Sequence, residues 1–436
     1  MLKLKIKKGV KADIVVMSIP SREKQIGAFL QCLRDLDKLK YNIILVCNTE
    51  KNKESRAFVK KIFKKYNKGK LPHQVVYNPQ KTLPTGRNAG IARSIQNASK
   101  GTRLTYIMDD DVVIYKPTQI LDFIEQGLQY ASFVGYPTFE VAMLSKTQRV
   151  AEANTLSNAI KSKKELSSKF FNFLEIEKPR RYTPFRGRKY ENAYVLYGHV
   201  HGNLQLHFTR VLEKMKKEHG GGNGIFNSNR QWYGEFTELN YRFQRYGLIG
   251  GFLFRSPSKM EHLHKASDWG LVFHNDTSVS ESPTRTMRNR NENMLRSYIY
   301  LAIESNTVSL DRPKEDFLER FLKIINSDFR FLKPVTQEFA KLLQIRYSSQ
   351  DYLFGTRSMS NELFERKRKK IITKVLNDIY SNKELKDSLL RKKIEYETAP
   401  FKLEPFEQMS KRSFNELLRY QNEMLKPFRE EIYDYE

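Results

Sequence analysis

The sequence predicts an α/β fold with a mainly parallel sheet in its larger N-terminal part, followed by a helical C-terminal domain. Two observations predict it. Between residues 13 and 108, short apolar runs alternate with amphipathic segments, the order expected of β-α-β units whose parallel strands are covered on both faces. From about Asp311 onward, the chain reads instead as helices rich in lysine, glutamate and leucine.

The individual elements follow from local patterns. Buried strands are predicted where apolar, β-branched residues run together, at residues 14–19, 42–48, 74–77 and 104–108. Helices are predicted where apolar residues recur at helical spacing, at residues 26–36, 55–66, 89–98 and 236–246. Gly247 follows the last of these helices at the position where glycine commonly ends a helix. Ligands of such a fold bind at the carboxyl ends of the strands.

Charge is the unusual feature of the composition. Hydrophobic residues make up 39%, enough for a substantial core, yet the formal net charge is +28. Residues 311–436 carry only +4 of this excess, so +24 lies in residues 1–310. Such an excess attracts nucleic acid, an anionic membrane surface or an acidic polymer.

The two cysteines, Cys32 and Cys47, are predicted to lie in a helix and a strand, without metal-ligand or disulfide spacing. They are interpreted as core thiols. The sequence shows no secretory leader and no apolar run of the roughly 18 residues that a membrane span requires. These features together predict a cytoplasmic protein.

Three consecutive acids, Asp109, Asp110 and Asp111, follow the strand predicted at residues 104–108. Two carboxylates on alternate residues can face one divalent ion, and hard oxygen ligands suit Mn²⁺ or Mg²⁺. Asp109 and Asp111 have that spacing, which leaves Asp110 to contact a sugar or ribose. The alternative is a solvated acidic turn.

A glycine-containing segment, Pro84-Thr-Gly-Arg-Asn-Ala-Gly-Ile-Ala-Arg93, precedes the acids. It combines a turn, a basic residue and a helix start, and a helix N-terminus beside an arginine favours a phosphate. The alternative is an ordinary loop-to-helix turn that is capped by Asn88.

The order of these motifs resembles glycosyltransferase family 2, whose members have the Rossmann-like GT-A fold. The resemblance covers roughly Asp13 to His264. It rests on a first strand followed by Pro-Ser-Arg, then Gly-Arg-Asn-Ala-Gly, then a strand ending in Asp-Asp-Asp. It implies a nucleotide-sugar donor, most readily a UDP-sugar, together with a divalent cation and usually inversion at the anomeric carbon.

The resemblance also implies where the donor lies. It places Pro20, Ser21 and Arg22 against the nucleoside, with Asn48 nearby. Further residues are implied to contact the diphosphate, the sugar, the ribose and the metal, namely Arg87, Asn88, Asp109, Asp110 and Asp111.

The segment Trp232–Gly247 resembles the acceptor-side motif of the same family, in which acids open a helix. An inverting transfer needs a carboxylate to take the acceptor proton. Glu235 is the candidate base and Glu238 the second choice. Phe236 stands where many members have an aspartate, and Glu235 alternatively only caps the helix.

Several further residues complete the predicted site. The resemblance also implies that a histidine completes the metal site, with His264 as the first choice and His262 as the second; their spacing puts both on one face of a predicted extended segment. Residues 141–230 carry a net charge of +10, and cations beside aromatics suit a polyanionic acceptor. The predicted acceptor residues are Arg180, Arg181, Tyr182, Arg186, Arg188, His199, His201 and Trp232.

The sequence thus predicts a glycosyltransferase domain over residues 1–305, with a donor half to about 135 and an acceptor half beyond it, and a helical domain over 306–436. The acceptor is either a polyanion such as hydroxylated DNA, or a saccharide, lipid-linked or protein hydroxyl. Two alternatives come from other classes: a metal-dependent nucleotidyltransferase, and a nucleic-acid-binding protein with a degenerate core.

Overall fold

The computed structural model describes the chain in segments, and the account below is confined to them. They are residues 4–115, 117–135, 139–140, 189–190, 194–197, 204–219, 224–230, 235–253, 271–274, 293, 295–297, 299–304, 308–311, 313–326, 361–401 and 411–435. Contacts divide the chain into two units. The first holds residues 1–226, 248–278 and 418–436, and the second holds residues 227–247 and 279–417. The boundary predicted near residue 305 falls within the second unit and stays a prediction.

The bounds of the elements are as follows. The strands are β1 Leu4–Ile6, β2 Lys11–Ser18, β3 Tyr41–Cys47, β4 His73–Tyr77, β5 Thr102–Asp109, β6 Val112–Tyr115, β7 Phe133–Gly135, β8 Phe139–Glu140, β9 Lys189–Tyr190, β10 Tyr194–Tyr197, β11 Leu204–Phe208, β12 Gly250–Leu253, β13 Leu271–His274 and β14 Tyr433–Tyr435. The helices are α1 Glu23–Leu33, α2 Lys53–Ile62, α3 Leu83–Asn97, α4 Pro117–Gly127, α5 Thr209–His219, α6 Glu235–Arg245, α7 Lys314–Asn326, α8 Asn361–Ser381, α9 Lys383–Glu397 and α10 Lys411–Glu430.

The first unit is built on a nine-stranded sheet in the order β4-β3-β2-β5-β11-β7-β12-β10-β9. Strands β4, β3, β2 and β5 are parallel to one another, and β11 runs antiparallel between β5 and β7. The predicted class, a mainly parallel α/β sheet, is therefore confirmed. The central strands read as near-continuous apolar runs because helices cover both of their faces.

The register of the central strands brings their carboxyl ends side by side. Met17 in β2 pairs with Asp109 in β5, and Ser18 pairs with Cys47 in β3. Polar residues that follow these strands therefore meet at one edge of the sheet, where a parallel α/β fold binds its ligands.

Helix α3 begins six residues earlier than predicted, at Leu83 rather than Ala89. Its N-cap is Thr82, whose side chain accepts from the backbone of Thr85, and Pro84 occupies the first turn. The interpretation of Asn88 as a cap is therefore wrong, because Asn88 lies inside the helix.

The glycines of α3 serve packing rather than a turn. A Cβ added at Gly86 would overlap the sulfur of Met17, and one added at Gly90 would overlap Val15. Both glycines let the helix lie close against β2. Local pattern suggested a turn here because glycine usually disfavours a helix interior, but close tertiary packing outweighs that preference.

Both cysteines are buried and free, as predicted. Cys32 lies in α1 and Cys47 at the end of β3. Burial raises the pKa of Cys32 to about 12 and that of Cys47 to about 11, so both remain protonated thiols at neutral pH.

The end of the chain also belongs to the first unit. Strand β14 pairs antiparallel with β1, the first strand of the described chain. The Tyr433 hydroxyl donates to the backbone carbonyl of Glu125, and the side chain of Gln421 donates to the carbonyl of Tyr130. No helix within the described residues is long and apolar enough to cross a membrane.

The described part of the second unit is helical and has its own core. Residues of α7, α8 and α9 form it together with Leu295, Ile299, Tyr300, Ala302, Ile303, Val308 and Leu310. A buried ion pair joins Arg230 to Glu304, and both side chains are fully inaccessible to solvent. Asn227 donates to the other carboxylate oxygen of Glu304 at 3.1 Å. Pairing of this kind offsets the large cost of removing each charge from water.

His207 predicts a pH dependence of stability for the first unit. The side chain is fully buried in β11, stacked on Phe133 at a centroid distance of 5.2 Å, and burial lowers its pKa to about 3. Below pH 6.5, the ordinary pKa of histidine, the His207 side chain binds a proton in the unfolded chain but stays neutral in the native chain. This contribution to stability is thus present above pH 6.5 and falls by about 1.4 kcal/mol per pH unit as the pH drops below it.

We expect urea unfolding at pH 7, 6 and 5 to show this loss in the unmodified protein. In His207→Gln, the free energy of unfolding should change less steeply with pH. Equal slopes in the two proteins would contradict the assignment.

Candidate functional site

The candidate site lies where β2, β3 and β5 end side by side. Strand β5 ends at Asp109, and Asp110 and Asp111 form the turn that leads into β6. The short helical turn Pro20–Arg22 follows β2 directly. Asp109 is therefore the last residue of the strand and Asp111 lies in the turn, as the sequence places them at a strand end; that the two face one cation stays a prediction.

Arg22 holds two of the three acids. Its Nη2 lies 2.7 Å from Asp110 Oδ1 and 2.9 Å from Asp111 Oδ2, and its Nε donates to Asp110 Oδ2 at 2.9 Å. The Ser18 hydroxyl donates to the same Asp110 oxygen at 2.6 Å. The Asp110 and Asp111 side chains are only 6% and 7% exposed. One guanidinium therefore bridges two buried carboxylates.

Arg87 in α3 holds the third acid. Its Nη2 lies 2.9 Å from Asp109 Oδ1, and its guanidinium carbon lies 5.6 Å from the centre of the Phe226 ring. Asp109 is the more open acid, with 28% of its side chain exposed, whereas Arg87 is 7% exposed. Helix α3 thus presents a buried, oriented cation to the end of β5.

The electrostatics of the site reflect this pairing. Burial raises the pKa of Asp110 above its ordinary value, although the hydrogen bonds and charge of Arg22 oppose the rise. Burial lowers the pKa of Arg22, but bonding to Asp110 and the charges of both acids outweigh burial, so its pKa lies above the ordinary value. Arg22 is therefore cationic at every physiological pH.

Asn48, predicted near the nucleoside, takes part in a polar network that shapes the loop before α3. Asn78 donates to Asn48 Oδ1 at 2.6 Å and to the Thr85 hydroxyl at 2.9 Å. Asn48 in turn donates to the backbone carbonyl of Lys81 at 3.1 Å. These bonds set the path of residues 78–82, including Lys81 at a positive φ of 58°. Ser21, by contrast, is exposed and Pro20 is half-buried.

Asn88, which stays a predicted contact of the diphosphate or sugar, holds a backbone segment in the structure. Its side-chain amide donates to the carbonyl of Phe226 and accepts from the amide of the same residue, both at 2.7 Å. This pair of bonds fixes the ring over which Arg87 lies. Asn88 therefore acts on Arg87 through Phe226.

Glu235 and Glu238 lie in the first turn of α6, in the second unit, and both are buried. Glu238 has an ion pair with Arg242 at 3.1 Å and accepts a hydrogen bond from the hydroxyl of Tyr396. Burial raises the pKa of Glu238, but the charges of Arg242 and Arg230 outweigh burial and lower it overall. Helix α6 ends as predicted, with Gly247 at φ 77°.

The remaining predicted residues lie outside the described residues. They are His262 and His264 of the metal set, and Arg180, Arg181, Tyr182, Arg186, Arg188, His199, His201 and Trp232 of the acceptor set. Sequence reasoning missed Ser18 and Asn78. Ser18 lies one residue before the end of the strand predicted at residues 14–19. A polar residue near the end of a buried apolar strand was therefore the signal that could have identified it.

The acids fit a divalent cation by their chemistry. Asp110 and Asp111 already converge on one cationic group, the Arg22 guanidinium, and carboxylate oxygens are the ligands that Mn²⁺ and Mg²⁺ prefer. Within the part of the chain that the structure describes, no three acidic, histidine or cysteine side chains form a ready-made metal cluster.

No protein-family model and no curated protein matches this chain. Among solved structures, it is similar to S. aureus TarS in complex with UDP-GlcNAc (11% identity, TM-score 0.38, covering 78% of this chain and 92% of that one). It is also similar to the mannosyltransferase PcManGT from Pyrobaculum calidifontis in complex with GDP-Man and Mn²⁺ (9% identity, TM-score 0.38, covering 92% and 91%). A third is GalNAc-T7 with UDP, GalNAc and Mn²⁺ (12% identity, TM-score 0.37, covering 70% and 52%). Similarities at these identities and TM-scores do not assign an activity.

Proposed function

We propose that this chain is a glycosyltransferase that moves a sugar from a nucleotide-sugar, most readily a UDP-sugar, to a hydroxyl acceptor. One observation carries the proposal: three consecutive acids end a central parallel strand, and two arginines from neighbouring elements hold their carboxylates. Such a cluster at the carboxyl edge of a parallel sheet suits a ligand that bears both hydroxyls and a diphosphate.

The two arginines are proposed to bind the diphosphate. Arg22 and Arg87 are both cationic and lie at the sheet edge, where each now pairs with an acid. Guanidinium groups bind phosphate oxygens in a planar, bidentate way. Ser18 and Arg22 orient Asp110, which is proposed to accept a hydrogen bond from a ribose or sugar hydroxyl.

Asp109 and Asp111 are the proposed metal ligands, with His264 or His262 as a further ligand. A bound Mn²⁺ or Mg²⁺ would neutralise the charge that develops on the departing nucleoside diphosphate. Three acids against two arginines leave this group of five side chains with one net negative charge, so the residues themselves favour an added cation.

Glu235 is the proposed base that takes the proton from the acceptor hydroxyl. Glu238 is the second choice, and its fully buried carboxylate is bound by Arg242 and Tyr396. A base must reach the proton that it removes. The proposed transfer is inverting, as the resemblance implies, and an inverting transfer needs such a base.

Replacing Glu235 by glutamine is expected to lower turnover at least about a hundredfold, because an amide cannot take a proton, while donor binding is retained. Single-turnover kinetics and a donor-binding assay would measure the two effects. Glu362→Gln is the matched control, since Glu362 also opens a helix but is exposed. Normal turnover in Glu235→Gln would remove Glu235 as the base.

The acceptor is proposed from charge alone. Residues 141–230, with a net charge of +10, favour a polyanionic acceptor such as hydroxylated DNA over a neutral saccharide. Lipid-linked, protein and ordinary saccharide hydroxyls are the competing acceptors. Glycan or oligonucleotide arrays with a labelled donor distinguish them by which product carries the label.

The first experiment is a thermal-shift panel of UDP-, GDP-, dTDP- and CMP-sugars, each with and without Mn²⁺. Stabilisation by one nucleotide-sugar that grows when Mn²⁺ is added would support the proposed donor site. The absence of a shift with every donor, together with tight and salt-sensitive DNA binding, would favour a nucleic-acid-binding protein instead.

A further inference from the structure

A strongly basic surface lies on the first unit and is formed by side chains other than Arg22 and Arg87, which hold the three acids. The segment 51–70, here called the basic segment, holds nine basic residues and one acid, Glu54, for a net charge of +8. All nine basic side chains are exposed. By comparison, helix α8, which contains the run Arg366–Lys370, holds six basic and three acidic residues, a net of only +3.

The basic segment is a helix with two different faces. Helix α2 and the helical turn that continues it bury Phe58, Val59, Ile62 and Phe63 against the unit. Its solvent face carries the cations, including a stripe at four-residue spacing formed by Arg56, Lys60 and Lys64. The apolar face of the segment is therefore packed against the first unit, whereas the charged face is exposed to solvent.

Few acids neutralise this face. Glu23 pairs with Lys61 at 2.7 Å and with Lys65 at 3.7 Å. Among the described residues, Arg56, Lys60 and Lys64 form no ion pair. Like charges one helical turn apart repel one another, although Lys60 lies in the last turn of α2, where the helix dipole favours a cation.

The composition of this surface favours an anionic membrane surface over nucleic acid as its binding partner. Eight of the nine cations are lysines, which act as point charges rather than as the planar forks that read phosphates individually. Within the segment itself, no aromatic ring is fully exposed for the stacking of bases. Phe58 and Phe63 are buried, and Lys65 lies over the half-buried ring of Tyr66 at 4.8 Å.

An exposed apolar side chain lies beside the basic segment. Lys70, at the end of the segment, has an ion pair at 3.8 Å with Asp35 in the turn before β3. That turn carries Leu39, which is 77% exposed, with the exposed Lys38 next to it and with Asp37 binding its backbone. An exposed leucine next to a surface rich in lysine is typical of a peripheral membrane contact.

We propose that the basic segment, together with Leu39, docks this protein onto an anionic membrane surface. The lysines supply electrostatic attraction to the headgroups, and Leu39 enters the interface. This docking does not depend on the proposed transferase activity, since it uses none of the residues at the ends of β2, β3 and β5.

The test is co-sedimentation of the full chain with vesicles of phosphatidylcholine alone, or with about a third of the lipid replaced by phosphatidylglycerol, at about 0.1 M salt. We expect binding only to the anionic vesicles. The triple variant Arg56→Gln, Lys60→Gln, Lys64→Gln should lower the partition coefficient at least about tenfold, and Leu39→Ser should lower it about threefold.

The matched control removes the same charge from another exposed helix face, in Arg366→Gln, Lys369→Gln, Lys370→Gln. Near-normal vesicle binding by this control supports the proposal. An equal loss in both triple variants would overturn it, because total charge rather than this surface would then govern binding. Retention on duplex DNA without retention on anionic vesicles would also overturn it, in favour of nucleic acid.

Discussion

Replacing Asp111 by alanine is expected to lower sugar transfer about a thousandfold or more while the protein stays folded. Asp111 shares the Arg22 guanidinium with Asp110, and it is one of the two proposed cation ligands. Without its carboxylate, the charge that develops on the leaving group loses its stabilisation, a term of this size in comparable sites. Initial rates with the donor identified by thermal shift would measure the effect.

The fold should survive because Arg22 keeps its three hydrogen bonds to Asp110, and because removing a buried carboxylate also removes its desolvation cost. Asp122→Ala is the control, since that acid lies on α4 with 52% of its side chain exposed and only a 3.7 Å contact with Lys40. An Asp111→Ala enzyme with normal transfer would refute the metal assignment. A large fall in the melting temperature of this variant would instead indicate a structural role for Asp111.

Replacing Glu304 by alanine is expected to lower the free energy of unfolding of the second unit by about 3–5 kcal/mol. Both Glu304 and Arg230 are fully buried, so the substitution leaves a guanidinium in the interior without its carboxylate. Asn227 also loses the acceptor of its side-chain hydrogen bond. Urea denaturation followed by circular dichroism would measure the change.

Two variants in the same unit separate this effect from a general sensitivity to mutation. Asp378→Ala breaks the ion pair with Arg296, in which the carboxylate is 45% exposed, and should cost no more than about 1 kcal/mol. The double variant Arg230→Met, Glu304→Leu should recover most of the loss, because well-packed apolar side chains replace both charges. A small loss in Glu304→Ala would show that water reaches Arg230.

Local pattern was sufficient for the core of the first unit. The strand run at Ile14–Ile19 and the run at Asn42–Asn48 correspond to β2 and β3, since fully buried parallel strands must be apolar along their whole length. Helix α6 and its terminal glycine were predicted for a similar reason, because amphipathic spacing and an αL end depend on neighbouring residues only. The acids after β5 were identified by their position at a strand end.

Pattern failed where distant residues decide the structure. The start of α3 was misplaced because Gly86 suggests a turn in isolation, whereas close contact with Met17 makes glycine the residue that fits. The return of the chain end to pair β14 with β1 had no local signal, because strand pairing is decided between segments more than four hundred residues apart.

By itself, the sequence determined the α/β class, the buried strands and helices of the sheet, and the position of three acids at the end of β5, because each depends on periodicity and short-range propensity. Only the tertiary structure decided the partners of the charged side chains. It assigned Arg22 to Asp110 and Asp111, Arg87 to Asp109, Asn88 to Phe226, and Glu238 to Arg242 and Tyr396. The physical reason is that a buried charge must be paired, and residue spacing along the chain does not specify which distant group pairs with it.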